Sequence, residues 1–152
     1  MSTEENLKKL NINLPKAPDP VGAYVASKIV GNLVFISGQL PLNSEGKLIK
    51  GKVGKELNLD QGQEAAKLCA LNLLAQLKKI SGNVDKVKGC VKITGYVNSI
   101  DSFVDQPKII NGASDLISKI FGDKGKHTRA AVSTNSLPLG VAVEVDAIFD
   151  LK

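Results

Sequence analysis

The stretch that most constrains this chain is residues 126–150, KHTRAAVSTNSLPLGVAVEVDAIFD. Two runs rich in β-branched residues flank Pro138 and Gly140. Proline has no N–H to give to a sheet ladder, so the segment 136–140 is expected to turn the chain between two strands of a hairpin. Alternation places Val141, Val143, Val145, Ala147 and Phe149 on one face of the second strand, an apolar core face. Ala142, Glu144, Asp146, Ile148 and Asp150 share the other. The first strand sets Arg129, Ala131, Ser133 and Asn135 against Ala130, Val132 and Thr134, bringing an arginine into a sheet that also carries a glutamate. A face that mixes Ala142 and Ile148 with Glu144 holds too little charge to be wholly solvated. Cover by another subunit is therefore expected, in a closed cyclic oligomer.

Upstream, Ser2 and Glu5 have capping-box spacing for a short helix ending near Leu10, and three prolines within residues 15–20 make an extended linker. The expected division is thus an N-terminal extension over residues 1–20 and a single domain over 21–152. Gly31-Asn32 reads as a two-residue turn joining strands at 23–30 and 33–38. Residues 43–46, Asn-Ser-Glu-Gly, have turn chemistry, and 47–55 forms a loop with a short strand at most. Asp60 and Gln63 suggest the cap of a helix running to about residue 81, with Ala66, Leu73, Leu77 and Ile80 at helical spacing. A strand follows over 85–97, with Val87, Gly89, Val91, Ile93, Gly95 and Val97 on one face. A second helix, starting at Asp101 or Pro107 and ending at Phe121, is stopped by Gly122. The order hairpin, helix, strand, helix, hairpin gives an α+β fold, a mixed sheet with two helices packed on one face.

A chain of 152 residues with 43% hydrophobic content can bury a core as one domain. Its start has no apolar leader and no run is long enough to span a bilayer, so a cytoplasmic protein without membrane contact is expected. The net charge of +5 is spread over many separate lysines, and aromatics are only 4% of residues. Nucleic acid is thereby disfavoured, because single-strand binders interleave basic and stacking residues. A single histidine, His127, and two cysteines, Cys69 and Cys90, leave no metal set, and the thiols read as small buried hydrophobes.

Among polar residues, Arg129 offers a planar fork that suits a carboxylate, and it equally suits a structural ion pair with Glu144 or Asp146. Glu144 can orient or deprotonate a water, or simply neutralise Arg129. Tyr24 reads as a core aromatic. Ser37 is balanced between facing a ligand and closing a strand end. His127, two residues before Arg129, fits an exposed or capping role, and Tyr96 fits packing.

The run Arg129-Ala-Ala-Val-x5-Pro138-x5-Glu144-Val-x-Ala-Ile148, with Gly22-Ala-Tyr24 and Gly31-Asn32-x5-Gly38-Gln39-x-Pro41 upstream, resembles the RidA (YjgF) family over residues 20–150. The resemblance implies a chorismate-mutase-like fold and a homotrimer with a barrel-like core and pockets between subunits. It further implies hydrolysis of reactive enamines and imines to keto acids and ammonia, without cofactor or metal. Arg129 and Glu144 would then be catalytic. Tyr24, Ser37, Gly38, Ala131 and Asn111 would bind a small carboxylate-bearing metabolite, with Tyr24 reaching a neighbouring subunit's pocket. Two other functions stay open on this resemblance, keto-acid binding without turnover and, ranked lower, the endoribonuclease activity named for some relatives. Three departures bear on substrate choice: Ala131 stands where the family often has cysteine, Lys126-His127-Thr128 replaces a proline-containing approach, and the segment 101–111 is longer.

Overall fold

The computed structural model covers residues 1–152. Its elements are α1 (Thr3–Lys9), β1 (Ser27–Val30), β2 (Leu33–Gln39), α2 (Leu59–Ser81), β3 (Val87–Asn98), α3 (Gln106–Phe121), β4 (Thr128–Thr134) and β5 (Val143–Leu151). One five-stranded sheet has the order β1-β2-β5-β3-β4. It is mixed, because β3 and β4 run parallel while every other pair is antiparallel. The expected α+β fold with helices α2 and α3 on one face is observed, and α1 packs against α3 as a third helix.

The expected C-terminal hairpin does not form. β4 and β5 both exist, but β3 lies between them, bonded to each. Alternation identifies a strand and its faces without naming its neighbour, and here α3 is the crossover of a parallel unit from β3 to β4. The Pro138-Gly140 turn instead carries the chain past the end of β3, where the Asn98 N–H donates to the Ala142 carbonyl at 2.8 Å. The first hairpin does form, with Val30 opposite Leu33 and Gly31 at φ +59°, but its outer strand starts at Ser27 rather than residue 23.

In β3 the expected phase fails. The register shifts between Cys90 and Lys92, and the bulge turns Cys90 inward to 5% exposure and Val91 outward to 40%. The pattern resumes with Ile93 and Val97 buried. The cap of α2 is also displaced: Asn58, not Asp60, accepts from the Gln61 N–H at 2.9 Å, and the Gln61 side chain returns the bond to the Asn58 N–H. Both positions satisfy the capping rule, and Asn58 wins because helical geometry begins at Leu59.

The core lies between the helices and the sheet. Leu73, Leu74 and Leu77 of α2 and Ile109, Ile110, Ile117 and Ile120 of α3 bury their side chains on Ile93, Val97, Val143, Val145 and Phe149. Burying each such side chain contributes roughly 1.5–3 kcal/mol. Helix α1, capped by Ser2 and Glu5 as expected, adds Leu7 to this core and is fixed by the Asn6 amide donating to the Ile120 carbonyl at 2.8 Å. The other sheet face has no helix. Val30, Leu33, Phe35 and Val132 lie there between 36% and 56% exposed. No helix is long and apolar enough to cross a membrane.

Candidate active site

Arg129 enters from edge strand β4. Its partner across the ladder is Ile93, which is also paired with Ala147, so Arg129 points to the helix-covered side. There Nη1 donates to Asn111 Oδ1 at 2.7 Å and to Ser114 Oγ at 3.2 Å, and Nη2 donates to the Pro107 carbonyl at 3.4 Å. All three acceptors belong to α3, and Asn111 and Ser114 are one helical turn apart. None of the ion pairs of the chain includes Arg129. Since a guanidinium has five N–H donors, the charge and part of the fork remain available to an anion.

His127 joins this group. A carbonyl can only accept, so the 2.6 Å contact from Nδ1 to the Gly125 carbonyl puts the proton on Nδ1. Nε2 then accepts from the Ser114 hydroxyl at 2.9 Å, while Ser114 Oγ accepts from Arg129. The histidine is thus neither exposed nor free, and its ring is spent on orienting Ser114. Ala131 lies two residues further on the same side, packed against the core.

Glu144 is elsewhere. It is paired with Tyr96 on β5 and β3 and faces the side without helices, opposite to Arg129. The ion pair of Arg129 with Glu144 or Asp146, one of the two readings of the sequence, therefore does not form within the chain. The reason is topological: β4 and β5 are not neighbours, so parity counted through a common turn does not carry across. With Glu144 the fold brings together Gly38 and Tyr24, around a cavity of about 540 Å³. Gly38 lies within the register shift of β2, and a Cβ placed on it would lie 2.5 Å from Glu144 Oε2, so the carboxylate keeps its present position only beside a glycine. The Tyr24 hydroxyl accepts from the Val21 N–H at 3.3 Å, and Tyr24 is half exposed rather than a core aromatic. Ser37 donates to the Val25 carbonyl at 2.7 Å, which is the strand-end bond.

Burial, and then the charge of Asp146, push the Glu144 carboxyl above its ordinary range. Asp146 is raised as well, chiefly by burial, while the Tyr96 hydroxyl donating at 3.3 Å opposes that shift. Glu144 has no cation of its own chain in any ion pair. A half-buried carboxylate with no countercharge and a raised pKa is suited to taking up a proton. Tyr96, expected to pack, instead serves Asp146. Sequence reasoning overlooked Ser114 and took Asp146 only as a possible partner of Arg129; their signals were the spacing of three from Asn111 on a helix and of two from Glu144 on a strand.

No group of three or more potential metal ligands exists. Cys69 and Cys90 are buried and unpaired. Burial raises both thiols, Cys90 to about 12, so neither is a nucleophile.

Residues 4–150 match the family model described as "YjgF/chorismate_mutase-like, putative endoribonuclease". The protein named TCP17 of Trypanosoma cruzi is 44% identical over 148 residues, which is 97% of this chain and 92% of that one. A crystal structure of a protein of unknown function from Agrobacterium tumefaciens superposes with TM-score 0.89 at 42% identity, covering 99% of this chain and 94% of that one. The rat protein named 2-iminobutanoate/2-iminopropanoate deaminase is 29% identical over 143 residues, 90% of this chain and 86% of that one.

Proposed function

This chain belongs to the YjgF/chorismate-mutase-like family, the RidA family, and on that premise we propose that it hydrolyses reactive 2-imino acids, with their enamine tautomers, to 2-keto acids and ammonia. The family includes a deaminase of that kind. The observation that carries the reading is the division of polar groups into two incomplete halves. An arginine without an acid, held by Asn111 and Ser114, sits at one edge of the sheet. A carboxylate without a cation sits on the reverse face beside a cavity. A cyclic homotrimer that sets the β4 edge of one subunit against the Glu144 cavity of the next would bring the two to opposite ends of one ligand, whose carboxylate takes up the arginine.

In such a pocket the Arg129 fork holds the substrate carboxylate by charge-assisted hydrogen bonds. Glu144 accepts a proton from water as its oxygen bonds to the C=N carbon. The imine enters protonated on nitrogen, so this addition gives a neutral carbinolamine. Glu144 returns its proton to that nitrogen, the C–N bond breaks, and ammonia leaves as C=O forms and the hydroxyl proton passes through Glu144 to the ammonia, released as ammonium. Imines already hydrolyse in water, so fixed orientation supplies most of the gain, and base catalysis contributes roughly 10²- to 10⁴-fold. Neither a metal nor a cofactor enters this sequence.

Binding of a keto acid without turnover is the competing reading, and Arg129 serves it as well; a dispensable Glu144 would favour it. Endoribonuclease chemistry ranks below both, because the single histidine is committed to Gly125 and Ser114. The deciding experiment generates imines in the assay with an amino-acid oxidase or a dehydratase and follows ammonia release. Acceleration over the uncatalysed rate is expected, and its absence across several imines removes the enzyme reading.

A further inference from the structure

We infer that the cavity beside Glu144 takes imino and keto acids with a large apolar side chain, and that Leu139 sets this choice. The ligand's polar end is placed as in the proposed function; the preference itself comes from the walls of the cavity.

The space of about 540 Å³ is lined largely by apolar groups, with Pro18, Pro20, Leu40, Leu42, Leu48 and Leu139 among them. Pockets of roughly 300–1,000 Å³ hold drug-sized molecules, so the part contributed by one chain is already larger than a three-carbon imine needs. The polar lining is mostly spent or outside. The Gln39 amide donates to the Ser37 carbonyl at 3.0 Å and its oxygen accepts from Gln76 at 3.5 Å, while Asp19 is solvent-exposed. Glu144 and the Tyr24 hydroxyl are therefore the polar side-chain groups left to the cavity, and its lining is otherwise mostly hydrocarbon.

The wall is preformed. Gln76 binds the Pro18 carbonyl, and the Val21 N–H binds the Tyr24 hydroxyl, which ties the proline-rich linker at both ends of its contact with the cavity. A rigid apolar wall rewards a ligand that fills it, since no ordering cost falls due on binding.

Leu139 adds an independent observation. It has φ +60° and ψ 12°, a left-handed conformation, and is 58% exposed. Leucine is a poor residue for that conformation, lacking both the freedom of glycine and the local hydrogen bonds of asparagine. Strain of this kind persists where the side chain has a use, and Leu139 is one of the residues that line the cavity.

Calorimetry on the full-length protein with pyruvate, the keto acid of leucine, and phenylpyruvate tests the inference. One methylene in an apolar pocket changes discrimination by roughly 10- to 200-fold, so the two larger acids should bind at least about tenfold more tightly than pyruvate. Leu139→Gly removes the side chain and relieves the backbone, so it should melt no lower than wild type while the preference falls by about tenfold. Leu139→Asn, which also tolerates the conformation, carries the same expectation. Pyruvate binding as tightly as the larger acids, an unchanged preference in both variants, or no binding by any of the three would overturn the inference. A clear preference without ammonia release upholds it and removes the deaminase reading instead.

Discussion

Arg129 and Glu144 project from opposite faces of one sheet, Arg129 toward α3 and Glu144 toward the side that no helix covers. One chain therefore cannot bring both to a single ligand, and catalysis by the pair demands two chains.

Subunit complementation follows from that separation. Arg129→Ala and Glu144→Gln should each be nearly inactive alone. Refolded together in equal amounts, they should regain activity at about a quarter of the sites, because in a closed ring a pocket needs the intact arginine from one chain and the intact glutamate from its neighbour. Ammonia release before and after mixing reads this directly, alongside light scattering for the trimer. No recovery from a mixture shown to form mixed trimers would sink the shared pocket.

Loss of the arginine clamp should show in binding. Charge-assisted hydrogen bonds contribute roughly 1.5–3 kcal/mol each, so Arg129→Ala should weaken keto-acid binding by at least about tenfold to a hundredfold, with Arg129→Lys recovering only part. Ser114→Ala removes an acceptor that holds Nη1 and leaves Asn111 in place. Its effect should be smaller, a rise in KM with kcat little changed, and should vanish when Arg129 is already lysine. Steady-state kinetics on the single and double variants check this coupling.

Much of this arrangement could be read from the residues. The capping box at Ser2 and Glu5, the Gly31-Asn32 turn and the inward face of β5 rest on local chemistry and appear as expected. What failed was non-local. The insertion of β3 between β4 and β5 depends on which strands meet, which alternation does not encode, and the bulge at Cys90 reverses faces beside Gly89, which alternation counts as an ordinary strand position. The separation of Arg129 from Glu144 is a consequence of that same insertion.

Gly38 gives a test of the carboxylate's placement. The alanine Cβ in Gly38→Ala would fall 2.5 Å from Glu144 Oε2, and the end of a flexible side chain can move aside. Thermal stability should therefore change little, while ammonia release drops by at least about tenfold, since small displacements of a catalytic group cost rate steeply. An unchanged rate would mean that Glu144 needs no fixed position.

The raised Glu144 pKa makes opposite claims about activity and stability as pH changes. As a base it works only when ionised, so kcat should climb with pH through a limb lying above the ordinary glutamate range. Asp146→Asn removes a neighbouring negative charge and should move that limb to lower pH, though not fully, because burial is the larger cause. Stability runs the other way. A carboxyl whose folded pKa exceeds its unfolded one contributes most below the unfolded value, and that contribution is lost as pH rises through the folded value. Replacing it with a neutral amide should therefore raise the melting temperature relative to wild type more at neutral pH than in acid. If Glu144 were chiefly the countercharge of an arginine, its pKa in the assembled protein would be depressed and Glu144→Gln would instead lose stability at neutral pH. Melting curves of wild type and Glu144→Gln across the acid-to-neutral range, with parallel rate profiles, separate the two. A variant that melts at or above wild type at neutral pH, binds keto acid, and releases ammonia roughly 10²-fold more slowly identifies Glu144 as the base; one that keeps full activity excludes it.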